Sequence, residues 1–183
     1  MCHQSVLRWG QENIKEEDVK GKTVLEAGSL DVNGSWRGLL KAFKPLYYLG
    51  IDLQAGLGVD KVMDVCDVGK EMPSQFDLVV STEMLEHAER WKEAVVAMKQ
   101  TLKPGGVLML TTRGPGFGRH DYPGDHWRFT AEIMRLAFAD MEIERIDPDP
   151  QSSGVFVRVR RPVKDERPLD GLLQWDVQAL PIE

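Results

Sequence analysis

Cysteine is scarce: Cys2 and Cys66 are the only two, too few for a disulfide framework or a zinc ribbon. No apolar run approaches the roughly 20 residues that cross a bilayer, and the first residues lack the basic and apolar stretches of a secretory leader. Basic residues are outnumbered. Lys and Arg total 23 against 29 Asp and Glu, a net charge of −6, whereas a non-specific nucleic-acid binder needs a broad basic face. Internal repeats, low-complexity tracts and Gly/Ser linkers are also missing. These absences exclude a membrane span, collagen, a coiled coil and a stapled mini-protein, and lead us to expect a reducing, cytoplasmic location. What remains suits a globular fold: 183 residues, 42% hydrophobic and 28% charged. A chain of this size buries roughly 70% of its unfolded surface without covalent staples. We expect one domain over residues 1–183, with an N-terminal extension at 1–20 and a C-terminal tail at 162–183.

The hydrophobic pattern alternates between strands and helices. Short apolar runs at 23–27, 47–53, 61–65, 76–82 and 107–112 predict five strands. Trp36, Leu39, Leu40 and Phe43 recur at i, i+3, i+4 and i+7, one face of a helix. Trp91, Val95, Met98 and Leu102 mark another, stopped by Pro104-Gly105-Gly106. Thr130 is placed to cap a helix over 131–139, with Glu132 in its first turn where the helix dipole favours negative charge. Runs at 141–146 and 154–161, with only the turn-rich DPDPQSSG between them, predict an antiparallel edge hairpin. The alternation predicts an α/β, doubly wound, mostly parallel sheet with helices on both faces. Such sheets bind ligands at the carboxyl ends of their strands. Glu26, Asp52, Asp64, Ser81 and Arg113 all fall at or just beyond those ends.

The loop after the first strand reads Glu26-Ala-Gly28-Ser-Leu-Asp31-Val-Asn-Gly34. Glycine there permits a sharp turn and close ligand approach. The G-x-G-x-x-G spacing of dinucleotide sites is not kept, and Glu26 and Asp31 would set two carboxylates beside a pyrophosphate. NAD and FAD are therefore disfavoured, and a cofactor carrying positive charge is favoured. S-adenosylmethionine has a sulfonium and an ammonium. Asp52, at the end of the second strand, suits the ribose hydroxyls of such a cofactor, and Asp64 suits the adenine amino group.

Through these residues the sequence resembles class I S-adenosylmethionine-dependent methyltransferases, over roughly residues 20–161. VLEAGSLDVNGSWR resembles the first motif of that family with its middle glycine replaced, and YLGIDLQ resembles the second. FDLVVSTEMLEH and LKPGGVLMLTT resemble the motifs of its fourth and fifth strands. The resemblance implies a Rossmann-like seven-stranded sheet of order 3-2-1-4-5-7-6 with strand 7 antiparallel. It places Glu26, Gly28 and Asp31 around the methionine part of the cofactor and Asp52 on the ribose. Asp64 and the backbone of Val65 fall on the adenine, and Ser81 under the methionine end.

Two clusters carry candidate chemistry. Glu83, Glu86 and His87 stand at i, i+3 and i+4, and on one helical turn they would share a face able to hold a divalent cation, Mg²⁺ or Mn²⁺. This E-x-x-E-H arrangement is similar to that of metal-dependent methyltransferases acting on RNA ends and on ubiquinone precursors. The second cluster is the long connection from Thr112 to Phe129, which joins glycines to histidines, arginines and aromatics. Connections of this length in compact domains are usually functional. His120, His126 and His87 are candidate bases, with Asp121 or Asp125 to orient an imidazole. Arg113 and Arg119 are candidate clamps for an anionic substrate. Trp127 and Phe129 are expected to pack rather than stack on a ligand. PGDHWRFT resembles a segment of methyltransferases from glycan and natural-product pathways.

The expected function is methyl transfer from S-adenosylmethionine to oxygen or nitrogen of a small-molecule acceptor, such as a sugar or natural product. The short chain leaves a second copy, a homo-oligomer, open as a cover for the acceptor. No membrane partner is expected, and the charge balance disfavours nucleic acid. The rival readings are a metal-dependent RNA 2'-O-methyltransferase-like enzyme, a non-catalytic S-adenosylmethionine-binding module and an NAD oxidoreductase. Cys66 and His3 read as structural. Arg158, Arg160 and Arg161 on the last strand are expected to face solvent.

Overall fold

A computed structural model describes residues 4–120, 124–164 and 168–182. Two short helices, α1 (Gln4–Asn13) and α2 (Glu16–Val19), lead into β1 (Thr23–Ala27) and α3 (Arg37–Ala42). Then follow β2 (Tyr47–Asp52), β3 (Lys61–Val62), α4 (Val65–Glu71), β4 (Phe76–Thr82), α5 (Trp91–Thr101) and β5 (Leu102–Arg113). The remainder is β6 (Trp127–Arg128), α6 (Ala131–Ala137), β7 (Glu142–Pro148), β8 (Gly154–Arg160), α7 (Gly171–Gln174) and β9 (Leu180–Pro181). None of these helices is long and apolar enough to cross a membrane, among the described residues.

Seven strands form one sheet in the order β3-β2-β1-β4-β5-β8-β7. The pairs from β3 through β5 are parallel, and β8 runs antiparallel to both β5 and β7. This is the expected order, with β7 and β8 as the sixth and seventh strands of the sheet and the seventh reversed. The edge hairpin follows from the short turn between them. The central strands read as unbroken apolar runs because both faces are covered. On one face α4, α5 and α6 pack, with Val95, Met98, Phe129 and Phe138 over Leu25, Val79 and Leu108. On the other, Val6 and Trp9 of α1, Ile14 just after it, and Trp36 and Leu40 of the α3 region lie over Val24, Leu78, Met109 and Phe156. The first residues are thus core material. Trp9 stacks on Trp36 at 5.8 Å between ring centroids, and Gly10 leaves room for that indole.

Several local expectations shift. The third strand stops at Val62, and Asp64 is instead the N-cap of α4, its Oδ1 accepting from the Cys66 N–H at 2.9 Å. The sixth helix ends at Ala137, capped as expected at Thr130. Arg158 is not solvent-facing. Its side chain projects onto the face that α1 and α2 cover, where it meets Asp18 at 2.8 Å and Glu144 at 2.5 Å. Nothing local to Arg158 signals Asp18, which lies far away in sequence. The tail also has a place: β9 pairs antiparallel with β6, so the segment leading to it closes back on the connection before α6. Burial pushes the Cys66 thiol up to about 12, consistent with an inert structural cysteine.

Candidate active site

The carboxyl ends of β1, β2 and β4 gather one set of candidate residues. Glu26 is buried, and its Oε2 accepts from Tyr48 Oη–H at 2.8 Å and from Arg37 Nε–H at 3.0 Å. Burial raises this carboxyl above its usual range, opposed by the Tyr48 and Arg37 donors. Gly28 turns the chain at φ +75°, and a Cβ there would lie 2.5 Å from Met84 Cγ. The close approach expected at this glycine is made by a protein side chain. Asp31 folds its own loop, accepting from the Gly34 N–H at 2.7 Å. Asp52 ends β2 and fastens two loops, with Oδ2 accepting from the Leu30 N–H and Oδ1 from the Gln54 N–H, both at 3.1 Å. Asp64 lies farther along, capping α4 and pairing with Arg90 at 2.8 Å, and Val65 opens that helix. Ser81 is fully buried beside Leu110, its hydroxyl without a hydrogen-bond partner.

Beyond β4 the geometry departs from one helical face. Glu83 adopts a left-handed backbone, φ +53°, and only Leu85–His87 form a turn of 3-10 helix. Glu83 points to Arg113, with which it forms a buried ion pair. It therefore does not join Glu86 and His87 as a third ligand. Burial, and next the charge of Glu86, push its carboxyl upward against the pull of Arg113. The third member is His120: ligand atoms of Glu86, His87 and His120 all lie within 4.8 Å of one another.

Each of these three is held from behind. Glu86 is fully buried, its Oε2 accepting from Thr112 Oγ1–H at 2.8 Å while Oε1 has no hydrogen-bond partner. His87 turns Nδ1 to the Gly124 carbonyl. A carbonyl only accepts, so Nδ1 carries a proton in this contact and Nε2 is the ring nitrogen left to face the cluster. His120 sets Nδ1 2.9 Å from Asp125 Oδ2 and Nε2 3.9 Å from Glu86 Oε1. The two imidazoles meet edge to face at 4.7 Å. Asp125 is itself locked by Arg128 at 2.6 and 2.8 Å and by the His120 N–H at 2.9 Å. Burial alone would raise its carboxyl, but the Arg128 and His120 donors outweigh it and hold Asp125 at about 2. The His120 imidazole is lowered by burial, against the pull of Asp125.

Of the three candidate bases, His87 and His120 converge and His126 does not. Its side chain is exposed, and only its backbone N–H reaches the cluster, donating to the Glu86 carbonyl at 2.9 Å. Asp121 lies outside the described residues. Arg113 is no clamp for a substrate: it is 1% exposed and held between Glu83 and Asp149. Arg119 is exposed. Trp127 and Phe129 pack as expected, Trp127 Nε1–H on the Ala88 and Glu89 carbonyls and Phe129 against Trp91. Sequence reasoning missed Thr112, Arg128 and Asp149. Arg128 carried a signal, three residues after Asp125, whereas Asp149 arrives from the β7–β8 turn with none.

Comparison with known proteins fits this arrangement. The family described as a methyltransferase domain matches residues 5–140. The ubiquinone biosynthesis O-methyltransferase of Xanthomonas euvesicatoria pv. vesicatoria (strain 85-10) is 43% identical over 61 residues, 33% of this chain and 26% of that protein. The enzyme of the same name from Pseudomonas aeruginosa (strain LESB58) is 38% identical over the same length and shares. The chain thus spans about a quarter of the length of these curated relatives, 26% in both cases. An S-adenosylmethionine-dependent methyltransferase from Mesorhizobium loti superposes with a TM-score of 0.66 at 17% identity, covering 86% of this chain and 98% of that one. The 1,6-didemethyltoxoflavin-N1-methyltransferase of Burkholderia thailandensis, solved with S-adenosylhomocysteine, gives 0.63 at 16% identity, covering 85% and 78%. With the family match spanning most of the chain on this sheet order, the protein belongs to the methyltransferase-domain family of class I S-adenosylmethionine-dependent methyltransferases.

Proposed function

We propose that the protein transfers a methyl group from S-adenosylmethionine to an oxygen of a small-molecule acceptor, with His120 as the base. The observation that carries this reading is the Asp125–His120 pair, Nδ1 2.9 Å from Oδ2, which leaves Nε2 on the side of Glu86 beyond β4. Methyl transfer is an in-line displacement that chiefly needs alignment. A hydroxyl acceptor must also lose its proton, and a neutral imidazole held by a carboxylate suits that task. In this reading Asp125 holds the Nδ1–H tautomer and Arg128 holds Asp125. Nε2 takes the acceptor proton, and Glu86 Oε1 steadies the resulting imidazolium. Asp52 holds the ribose, and the 28–31 loop with Ser81 faces the methionine end. The ubiquinone relatives named above support oxygen over nitrogen as the acceptor atom.

The test is turnover of phenolic and sugar hydroxyl acceptors, with methylated product read by mass spectrometry. His120→Ala is expected to lower kcat on the order of 10²-fold or more while S-adenosylhomocysteine still binds. Parental turnover by this variant would remove His120 from the chemistry.

One observation favours a second reading at the same place. Ligand atoms of Glu86, His87 and His120 converge within 4.8 Å of one another, and the buried Glu86 Oε1 has no hydrogen-bond partner. Two imidazoles and a carboxylate fit a divalent cation, Mn²⁺ better than Mg²⁺ by their softness. The Gly124 carbonyl behind His87 Nδ1 and the Asp125 carboxylate beside His120 Nδ1 stand where the supporting groups of metal-bound histidines stand. Such a cation would supply charge to lower the pKa of an acceptor hydroxyl. Calorimetric titration of EDTA-treated protein with Mn²⁺ and with Mg²⁺, and of its Glu86→Gln variant, separates the readings. Metal binding lost in Glu86→Gln supports the cation, and no binding by the parent protein leaves His120 acting alone.

A further inference from the structure

The charge cluster that the proposed chemistry leaves unused is the buried triad Glu83–Arg113–Asp149. Its side chains are 3%, 1% and 0% exposed. Arg113 closes β5, Glu83 follows β4, and Asp149 follows β7, so one guanidinium joins three chain segments. Nη2 meets Glu83, Nη1 lies 3.2 Å from Asp149 Oδ2, and the guanidinium covers the Phe117 ring at 4.3 Å. Buried charges tolerate little freedom, because a displaced partner leaves an uncompensated ion in an apolar setting. The triad therefore fixes geometry.

Glu83 is one part of that geometry. A glutamate at φ +53° sits in a region that side chains with a Cβ disfavour, and it persists only where its surroundings impose it. Here the Glu83 N–H donates to the Thr111 carbonyl at 3.0 Å, and its carboxylate is drawn to Arg113. The next residue, Met84, is thereby laid against Gly28, the turn that opens the cofactor loop. At the other end, the turn carrying Asp149 is tied to the connection that bears His120. The Gly114 N–H donates to the Ser153 carbonyl at 3.1 Å, and the Ser153 hydroxyl meets the Pro115 carbonyl. Asp149 is also braced within its turn, accepting from the Gln151 N–H at 2.9 Å.

We infer that this triad is a positioning device by which the β7–β8 turn sets the cofactor loop: Asp149 holds Arg113, Arg113 holds Glu83 left-handed, and Met84 seats Gly28. None of these side chains acts on the reacting atoms. Because the same turn anchors the His120 connection, the acceptor side and the cofactor side are coupled through it, and such coupling is reciprocal. The inference rests on the proposed placement of the cofactor at Gly28, Asp31 and Asp52.

The experiment is calorimetric titration with S-adenosylhomocysteine of the parent, Asp149→Asn, Met84→Ala and the double variant, with Asp52→Ala as the control for placement. Asp149→Asn keeps shape and removes charge. It is expected to weaken binding about 2- to 30-fold, Met84→Ala to weaken it as well, and the double variant to be no weaker than the poorer single one. A folded Asp149→Asn that binds like the parent, or effects that simply add, would make the triad a structural ion cluster and overturn the inference. Tighter binding by Met84→Ala would also overturn it, since Met84 would then obstruct the loop. If Asp149→Asn does not fold, Glu83→Gln carries the same comparison. Should Asp52→Ala also bind like the parent, the fault lies in the cofactor placement and the inference falls with it.

Discussion

His120 and Asp125 are five residues apart in sequence, yet their side chains meet at 2.9 Å and the His120 N–H also donates to the same carboxylate at 2.9 Å. Arg128 completes the lock from the far side. Such a carboxylate does two things to an imidazole: it fixes the tautomer and favours the protonated form. Both effects can be measured.

The first measurement is the pH dependence of kcat/KM. Burial lowers the His120 imidazole from its ordinary value, with Asp125 pulling the other way. If neutral His120 is the base, activity is expected to hold as pH falls past about 6.5, the usual imidazole value, and to decline only below it. Asp125→Asn removes the upward pull, so the acid limb should move to still lower pH while kcat drops. An acid limb at or above the ordinary imidazole value would show that another group is titrating.

Acid stability gives a second prediction. Asp125 is held at about 2 in the folded protein. A depressed carboxyl stabilises above its unfolded pKa, near 3.9, and loses that contribution as pH falls through the folded value. Unfolding free energy from urea titrations should therefore drop between about pH 4 and pH 2 by roughly 2 kcal/mol from this group. The slope in that window should be shallower in Asp125→Asn. An unchanged slope would place the acid lability elsewhere.

Lys99 supplies a third. It is fully buried on α5, donating to Asp140 Oδ1 and to the Ala137 carbonyl, both at 2.6 Å. Burial lowers its ammonium, opposed by Asp140. Lys99→Met leaves the Asp140 carboxylate buried and alone, and is expected to cost about 3–5 kcal/mol. Lys99→Met with Asp140→Leu should recover much of that loss, because no unpaired charge remains. Denaturant midpoints of the parent and the two variants decide it, and equal loss in the single and double variants would contradict the argument.

Asp52 and Asp64 should separate in a fourth test. Asp52 ends β2 and ties the 28–31 loop to the segment after β2. Asp64 caps α4 and pairs with the exposed Arg90. Asp52→Ala is expected to weaken S-adenosylhomocysteine binding by about 1 kcal/mol or more. Asp64→Ala is expected chiefly to lower stability, by about 1 kcal/mol for a lost cap. Calorimetry and thermal unfolding of both variants would reverse this assignment if Asp64→Ala lost more affinity than Asp52→Ala.

The fold was legible wherever a local pattern was also the structural cause. Apolar runs such as Phe76–Thr82 became central strands because burial on both faces requires unbroken hydrophobicity. Thr130 caps α6 because its hydroxyl accepts from a backbone N–H three residues on, a relationship contained in the sequence spacing. The short turn before β8 made its antiparallel pairing readable too. Boundaries were less legible. Asp64 at the end of an extended run reads equally well as a strand end or a helix cap, and only the Cys66 N–H decides between them.

At the site, the order of residues along the chain settles which types stand at which strand ends: Asp52 closing the second, Glu83, Glu86 and His87 after the fourth, and two histidines in the connection after the fifth. Tertiary structure alone decided their grouping. Glu83 left the expected ligand face because Arg113, thirty residues later on a neighbouring strand, offered a buried partner. His120 took its place because Asp125 and Arg128 turned that connection inward, while His126 faced out. Asp149 and Asp18 became partners of buried arginines across the sheet, at separations of 36 and 140 residues. A buried charge takes whichever opposite charge the packed chain brings within reach, so its partner is fixed by topology, whereas periodicity and capping act over a few residues and are already written in the sequence.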